Sequence, residues 1–384
     1  STSKKATGSL ISVQYDKKGN HAKKIFNDRT PGWIAKTLLI VITSLWCYWS
    51  IGEMYHEGWW GPFYNRLIYL IPGAAFLVLT LVGIKWPRIG GWMIMILGGA
   101  FTVFFMDIHF VNGRLTTDRD LTGSLVSAPL VFLGVLLLIE GRNQKRRVAR
   151  EWTPPPNRWR RNLWTILAVV PPLLILLVMS AINLPSVLSR KDDGNYGARL
   201  IEGNNVRLVW APEGPGWNWK QDYGGYPSWN MVALYGLEPI GMGEKPGFDY
   251  KVGEYATSAE MAKYNLCLYL SQDGQRLEGE PQNIWRMPAV DDYARSLTRN
   301  GENAGCTWDG ISQNQMDCEN QPNKETPLWA PDLSPIYYWA AEESSDSLAY
   351  FVSYNGWVNA TIKTGGNPRH SFRCVRDPLP GEDF

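Results

Sequence analysis

The run Leu163 to Leu184, LWTILAVVPPLLILLVMSAINL, carries no charge. An uninterrupted apolar run of about 20 residues is long enough, as a helix, to cross the ~30 Å hydrocarbon core of a bilayer. A strongly basic segment, Arg142 to Arg161, stands in front of it, and a polar region rich in Trp, Gly and Asn follows to the C-terminus. This run therefore divides the chain into a membrane half and a water-exposed half. The basic flank assigns the sides, because lysine and arginine collect on the cytoplasmic face of a span.

Further apolar runs precede it. The expected fold is an all-α transmembrane bundle of five helices followed by an α+β extracytoplasmic domain, with spans at 37–54, 67–84, 92–111, 125–139 and 163–184. Residues 1–36 carry Lys4, Lys5, Lys17, Lys18, Lys23, Lys24, Arg29 and Lys36 and read as a partly disordered cytoplasmic tail. This tail is polar and basic rather than a cleavable leader, so the first span is expected to act as an uncleaved signal. Tyr55 to Arg66 reads as an interfacial loop and 141–162 as a basic cytoplasmic loop. Pro72-Gly73 and Gly98-Gly99 read as sites of helix kinking and close helix contact. All the basic loops fall on one side. The expected setting is the inner membrane of a bacterium, with the N-terminus cytoplasmic, the last 200 or so residues periplasmic, and the bilayer and other membrane subunits as partners.

Composition matters mainly for what it excludes. The net charge of +2 gives no reason to expect nucleic acid. Nineteen Trp suit membrane interfaces and binding surfaces. Cys47 lies in the first span, whereas Cys267, Cys306, Cys318 and Cys374 all lie beyond the last one. An even number of cysteines outside the cytoplasm reads as disulfides. Three pairings are open, and the favoured one joins Cys306 to Cys318 and Cys267 to Cys374. Neither the spacing nor a nearby His supports a zinc site.

After a linker at 185–204, Val206 to Trp210 reads as a strand. Thr257 followed by Glu260 is a capping box that opens a helix with Met261, Tyr264 and Leu268 on one face. Val290, Tyr293, Ala294 and Leu297 keep helical spacing in a second helix. Leu348 to Tyr354 alternates as a strand, Asn355-Gly356 turns it, Trp357 to Lys363 returns, and Ser371 to Arg376 is a final strand. The segments "NLCLYL", "NIWRMPAVDDYARSL", "PIYYWAAEESSDSLAYFVSYNGWVN" and "SFRCVR", in that order, resemble the Lcl C-terminal domain family over roughly residues 205–377. The resemblance implies a bacterial extracytoplasmic module of the C-type-lectin-like fold, related to the formylglycine-generating enzymes, across residues 205–384. It supports the Cys267–Cys374 pairing, since lectin-like folds tie the first helix to the last strand.

No catalytic signature emerges. Oxidases related to that fold use a pair of cysteines near the C-terminus, where this chain has Cys374 alone. His370 reads as a solvated loop residue beside Arg369, and Gln321-Pro322-Asn323 as a turn. Glu53 with His56, and Asp107 with His109, read as interfacial residues, with no metal or cofactor expected. The expected function is a non-enzymatic accessory or scaffold subunit whose periplasmic domain makes protein contacts. The alternative is an anchored receptor or adhesin for polysaccharide, with Trp357, Arg369, Arg373 and Arg376 as its binding surface.

Overall fold

A computed structural model describes residues 8–57, 59–111, 117–149, 158–219, 226–237, 255–365 and 369–382, with the backbone alone at 8–28, 103–111, 117–126, 148 and 158–161. The chain forms two compact units. Residues 1–54 and 67–182 make the first, and residues 55–66 and 183–384 the second.

The first unit is helical. It is built from α1 (Gly8–Glu57), of which the last residues belong to the second unit, α3 (Ile71–Lys85), α4 (Pro87–Val111), α5 (Thr117–Ala149) and α6 (Arg158–Leu188); the short α2 (Phe63–Ile68) leads into α3. Glycine lets the helices meet closely. A Cβ on Gly91 would lie 2.9 Å from the Gly134 carbonyl, and one on Gly98 would lie 2.9 Å from the Leu130 Cβ. Ala35, Leu39, Phe76, Ile94, Leu130, Leu133 and Leu137 form the core between the helices. Small residues at such crossings allow backbone approach, the main source of helix adhesion in an apolar solvent.

The expectation of five spans is corrected. Among the described residues two helices are long and apolar enough to cross a membrane, Arg29–Glu57 and Asn162–Leu188. Length is the physical reason at α3: its 15 residues rise only about 22 Å at 1.5 Å each, short of the ~30 Å hydrocarbon core. In α5 the apolar stretch is bounded by Asp118, Arg119 and Asp120 on one side and by Glu140 and the following arginines on the other. The expected tail at 1–36 is also revised, because helix α1 already runs from Gly8. Asp107 and His109 have side chains outside the described residues.

The second unit is mixed. Its strands are β1 (Arg199–Gly203), β2 (Val206–Trp210), β3 (Thr298–Arg299), β4 (Glu302–Asn303), β5 (Cys306–Thr307), β6 (Asp317–Cys318), β7 (Tyr337–Ser345), β8 (Leu348–Ser353), β9 (Val358–Ile362), β10 (His370–Ser371) and β11 (Val375–Arg376). Its helices are α7 (Trp229–Ala233), α8 (Ser258–Tyr264) and α9 (Val290–Ser296), with a 3-10 turn at Leu266–Tyr269. One sheet has the order β10-β7-β8-β9 and another β1-β2-β11, while β3-β4 and β5-β6 are ribbons.

β7 is the centre of the larger sheet, and both its faces are buried. Tyr338 and Ala340 point into one core with Val290 and Tyr293 of α9 and with Leu297 at its C-cap. Trp339 points into the other with Trp229 of α7 and Met261 of α8. A strand covered on both faces reads as a continuous apolar run. The aromatic residues build these cores: Trp210, Trp217, Trp229, Trp285, Trp329 and Trp339 are all fully buried. A buried indole is stabilised where its N–H finds an acceptor, as most of these do, while Nε1 of Trp210 and of Trp329 has none among the described residues. Trp229 donates to the Ala340 carbonyl at 2.7 Å, Trp285 to the Ser271 carbonyl at 2.9 Å and Trp217 to the Tyr338 hydroxyl at 2.7 Å.

Several local expectations hold. Thr257 and Glu260 make the capping box of α8, with both reciprocal bonds present. Val290, Tyr293, Ala294 and Leu297 are all buried along α9. β8 and β9 pair antiparallel across the Asn355-Gly356 turn. Two expectations change. The expected linker at 185–204 includes β1, which pairs with β2 along its whole length. The expected last strand is two strands in two sheets, since β10 runs parallel to β7 and β11 antiparallel to β2. Phe372 to Cys374 carry the chain from one sheet to the other.

Both disulfides are present. Cys306 and Cys318 face each other across the β5-β6 ribbon, and Cys267 joins Cys374 across 107 residues of sequence. Chain entropy makes the long closure worth about 4–5 kcal/mol and the short one about 3 kcal/mol. Replacing Cys267 and Cys374 together by alanine is therefore expected to lower unfolding stability more than replacing Cys306 and Cys318 together. Urea unfolding followed by tryptophan fluorescence measures both losses.

Candidate functional site

The second unit begins at the chain segments that connect it to the helices. After α1, the Gly61 N–H donates to the Asp332 carbonyl at 3.0 Å. His56 Nε2 lies 2.9 Å from the Tyr337 hydroxyl, and the Tyr354 hydroxyl donates to the His56 carbonyl at 3.0 Å. Arg369 Nε donates to Glu57 at 2.5 Å, with its guanidinium over the Trp60 ring. After α6, Asn323 donates to the Ser186 carbonyl at 2.7 Å and accepts from Arg190 Nε at 2.8 Å, while the Lys191 N–H donates to Glu325. Tyr55 to Arg66, expected to be a membrane-interface loop, is thus a structural part of the C-terminal unit. Asn323 of the Gln-Pro-Asn triplet is 3% exposed and spent in these contacts.

The four residues of the expected binding surface do not share one. Trp357 is exposed at 43%. Arg369 is held by Glu57 with one fifth of its side chain exposed. Arg373 and Arg376, expected on the surface, are buried. Arg376 pairs with Glu382 at 2.6 Å and covers the Trp285 ring. Arg373 lies 3.6 Å over the Trp217 ring. Its Nε donates to the Ala211 carbonyl at 2.8 Å and its Nη1 to the carbonyls of Pro327 at 2.6 Å and Leu328 at 2.8 Å. Burial lowers its pKa to about 9. A cation can be buried where carbonyl dipoles and an aromatic face replace its water. Sequence patterning missed this because an isolated Arg beside a Cys has the same local signature inside or outside a fold.

Two lysines are buried as well. Lys363 donates to the Ala256 carbonyl at 2.7 Å, the Asp346 carbonyl at 2.9 Å and Glu343 at 2.5 Å, over the Trp229 ring. Lys324 donates to the Leu333 carbonyl, and burial holds its pKa well below the usual lysine range. His370, expected in solvent, is 6% exposed. It stacks on Trp339 at 4.7 Å and meets Tyr337 at 5.0 Å and Phe351 at 4.9 Å. Burial lowers its pKa to about 4. Among the described residues no group of three or more His, Cys, Asp or Glu is placed to hold a metal ion.

One open feature of this unit is a cleft of about 370 Å³ in the disulfide-closed loop, lined by Thr307, Trp308, Asp309, Asn314, Gln315 and Asp317 among others; another, of about 420 Å³, is lined by Asn195, Ala198, Arg199, Leu200 and Glu202. The loop is fixed at several points. Trp308 Nε1 donates to the Ser312 carbonyl at 3.0 Å, and Asp309 accepts the N–H groups of Ile311 and Ser312 at 2.9 and 2.8 Å. The Met316 N–H donates to the Gly356 carbonyl at 2.8 Å, and the Val358 N–H to the Asn314 carbonyl at 3.0 Å. These bonds hold the Asp309 carboxyl below the usual carboxylate pKa, the Ser312 hydroxyl contributing most. The composition around this loop, acidic without a nearby Lys or Arg, was the available sequence signal.

A family model described as a domain of unknown function, DUF7670, matches residues 22–149, which lie before α6. No curated protein and no solved structure matches the chain.

His370 gives a stability signature. The unfolded chain takes up a proton at this residue near pH 6.5, the folded unit only near pH 4. Between these values the unfolded state binds more protons, so stability falls as pH drops through that window, by at most about 3 kcal/mol for this group. A His370→Phe variant is expected to lose part of the acid sensitivity between pH 7 and about 4, read from urea midpoints across that range. Arg373→Met leaves three buried carbonyls without their donor and is expected to cost on the order of 3 kcal/mol or more. Arg369→Ala, at a partly exposed pair, is expected to cost about 1 kcal/mol or less, measured in the same unfolding experiment.

Proposed function

We propose that this protein is a non-enzymatic membrane subunit whose C-terminal unit is a docking platform for another protein. The observation that carries the reading is the fate of the residue types that could do chemistry. In the second unit four cysteines are paired in disulfides, His370 is packed between aromatic rings, and Arg373, Arg376, Lys324 and Lys363 are buried in contacts that hold the fold. A polysaccharide receptor built on Arg369, Arg373 and Arg376 has less support, since two of these guanidinium groups face inward.

Membrane anchoring is supported by the two long apolar helices. The end of each, Tyr55–Glu57 and Asn183–Leu188, belongs to the same compact unit. The disulfides favour the oxidising side, and the arginines before α6 favour a cytoplasmic start for that helix. The reading is therefore a C-terminal unit in the periplasm of a bacterial inner membrane. The likeness of residues 205–377 to the Lcl C-terminal domain family belongs to the same proposal, as the source of its lectin-like reading.

Purification in mild detergent followed by native mass measurement is expected to give a complex heavier than one chain and its lipids. A lone monomer from native membranes would count against the platform. For sidedness, a Glu280→Cys variant, at an exposed position, is expected to react in spheroplasts with a membrane-impermeant maleimide. Labelling only after lysis would overturn the periplasmic assignment.

A further inference from the structure

The helical unit gathers positive charge at one end. Residues 29–36, 85–88 and 140–162 hold twelve Lys and Arg against two acids, Glu140 and Glu151. Contacts within the unit bring these segments together. Lys36 of α1 and Arg147 of α5 both pair with Glu140 Oε1, at 3.8 and 2.6 Å. Gly32 of α1 lies directly against the Glu140 side chain, where a Cβ would clash, and Gly141 of α5 gives the same room to the stem of Arg88 at the start of α4. Lys85 ends α3 just before it. Lys36 also lies over the Trp164 ring of α6, at 5.6 Å.

The last contact sets the depth of the cluster. Lys36 and Trp164 each stand near the start of a candidate span, Arg29–Glu57 and Asn162–Leu188. Both spans therefore begin at the level of the basic residues. Trp33 and Trp86 are about half exposed at the same end, and Lys85 lies 4.5 Å over the Trp86 ring. Indoles beside basic side chains at the start of a span mark the headgroup layer of a bilayer. The cations fall into two sets. Lys36 and Arg147 are each 14% exposed and fasten α1 to α5 through Glu140. Lys85, Arg88, Arg142, Lys145 and Arg146 are exposed. Directly after Arg88, α4 exposes Ile89, Trp92, Met93 and Ile96. Their spacing of three, four and seven residues makes one apolar strip that runs away from the charge.

We infer that this end of the helical unit binds an anionic phospholipid. Its phosphate is met by Arg88, Arg142 and Arg146, with Lys85 and Lys145 beside them, and its acyl chain lies along Ile89, Trp92 and Ile96. A guanidinium suits the role because its paired N–H donors match two oxygens of one phosphate. Basic residues beside a span attract anionic lipid in any case. What makes a site here is that contacts among α1, α4, α5 and α6 hold the segments together before lipid arrives, so that little ordering is left for binding. A lipid carries a charged head joined to an apolar tail, the order in which α4 presents its partners. The inference rests on the membrane-anchor reading and not on the platform.

The test uses the full-length protein in mild detergent, with phosphatidylglycerol or phosphatidylcholine of the same acyl chains added. Native mass measurement counts the lipids retained as collision energy is raised. Phosphatidylglycerol is expected to be retained in preference by about tenfold or more. The triple variant Arg88→Gln, Arg142→Gln, Arg146→Gln is expected to lose that preference, and the triple Lys variant at the same positions to keep most of it. Arg207→Gln, at an exposed arginine of the second unit, is expected to change nothing. Circular dichroism checks that the helices remain, and Arg146→Gln alone gives a milder variant expected to lower the preference in part. Equal retention of the two lipids, or an unchanged preference in the folded triple Gln variant, would overturn the site. So would displacement of the lipid by millimolar inorganic phosphate or by tetraglutamate, which would assign the charge to a free anion or to an acidic protein segment. Wild-type protein that stays soluble without detergent would remove the membrane anchor itself, whereas membrane-inserted protein with no lipid preference would remove this site alone.

Discussion

The guanidinium of Arg373 lies at the centre of the C-terminal unit with no carboxylate partner among the described residues. A buried cation is tolerated only where fixed dipoles replace the water it has lost. Here three carbonyls and the face of Trp217 do so, and they come from separate parts of the chain: Ala211 after β2, Pro327 and Leu328 before β7, and Trp217 in the loop between. Together they serve Nε and Nη1, while Nη2 is buried without a hydrogen-bond partner among the described residues. The next residue, Cys374, is bonded to Cys267 beside α8, and the one after that opens β11 on the smaller sheet. Three consecutive residues thus fasten the chain's end to the loops, to the helical layer and to the second sheet. The two sheets are separate hydrogen-bonded units, and this crossing is a large part of what joins them.

The aromatic cores follow from the same constraint. A sheet buried on both faces needs large apolar side chains on alternate residues, and β7 supplies Tyr338 to one core and Trp339 to the other. Most polar aromatic atoms then find a partner inside, Nε1 of Trp210 and of Trp329 being exceptions among the described residues. Tyr338 illustrates the economy of the solution: it stacks on Trp329 at 4.3 Å and accepts the indole N–H of Trp217, whose face carries Arg373. The charge, the indole and the phenol form one network, in which cooperative polarisation strengthens each bond. Burial drives the Tyr338 hydroxyl to a raised pKa, so it stays neutral and remains a fit acceptor and donor at any ordinary pH.

What the sequence made legible was local. The capping box at Thr257 and Glu260, the spacing of α9 and the Asn355-Gly356 hairpin are each encoded within a few residues, and each appears where the pattern placed it. The cysteine pairs were also readable, since few combinations exist. What failed was long-range. Nothing within a few residues of Arg373 or His370 distinguishes a buried position from a surface one, because their partners come from distant strands and loops. Tyr55 to Arg66 looked like an interfacial loop because its glycines and tryptophans fit one, and only Asp332, Tyr337 and Arg369, far along the chain, make it part of the C-terminal unit. The helical unit failed differently. Apolar composition was legible there, but span number depends on whether each helix is long enough, and the 15 residues of α3 are not.

These contrasts bear on function through accessible charge. The interior holds Arg373, Arg376, Lys324, Lys363 and His370, while Arg207 and Arg276 stay exposed at the surface. The surface therefore carries both signs of charge, acidic at Asp309 and Asp317 and basic at Arg207 and Arg276, with exposed apolar side chains at Ile311 and Trp357. Electrostatic complementarity governs which partner approaches and in which orientation more than how tightly it stays. The lack of any Lys or Arg between Arg299 and Lys324 is what gives the disulfide-closed loop around Asp309 and Asp317 its definite sign.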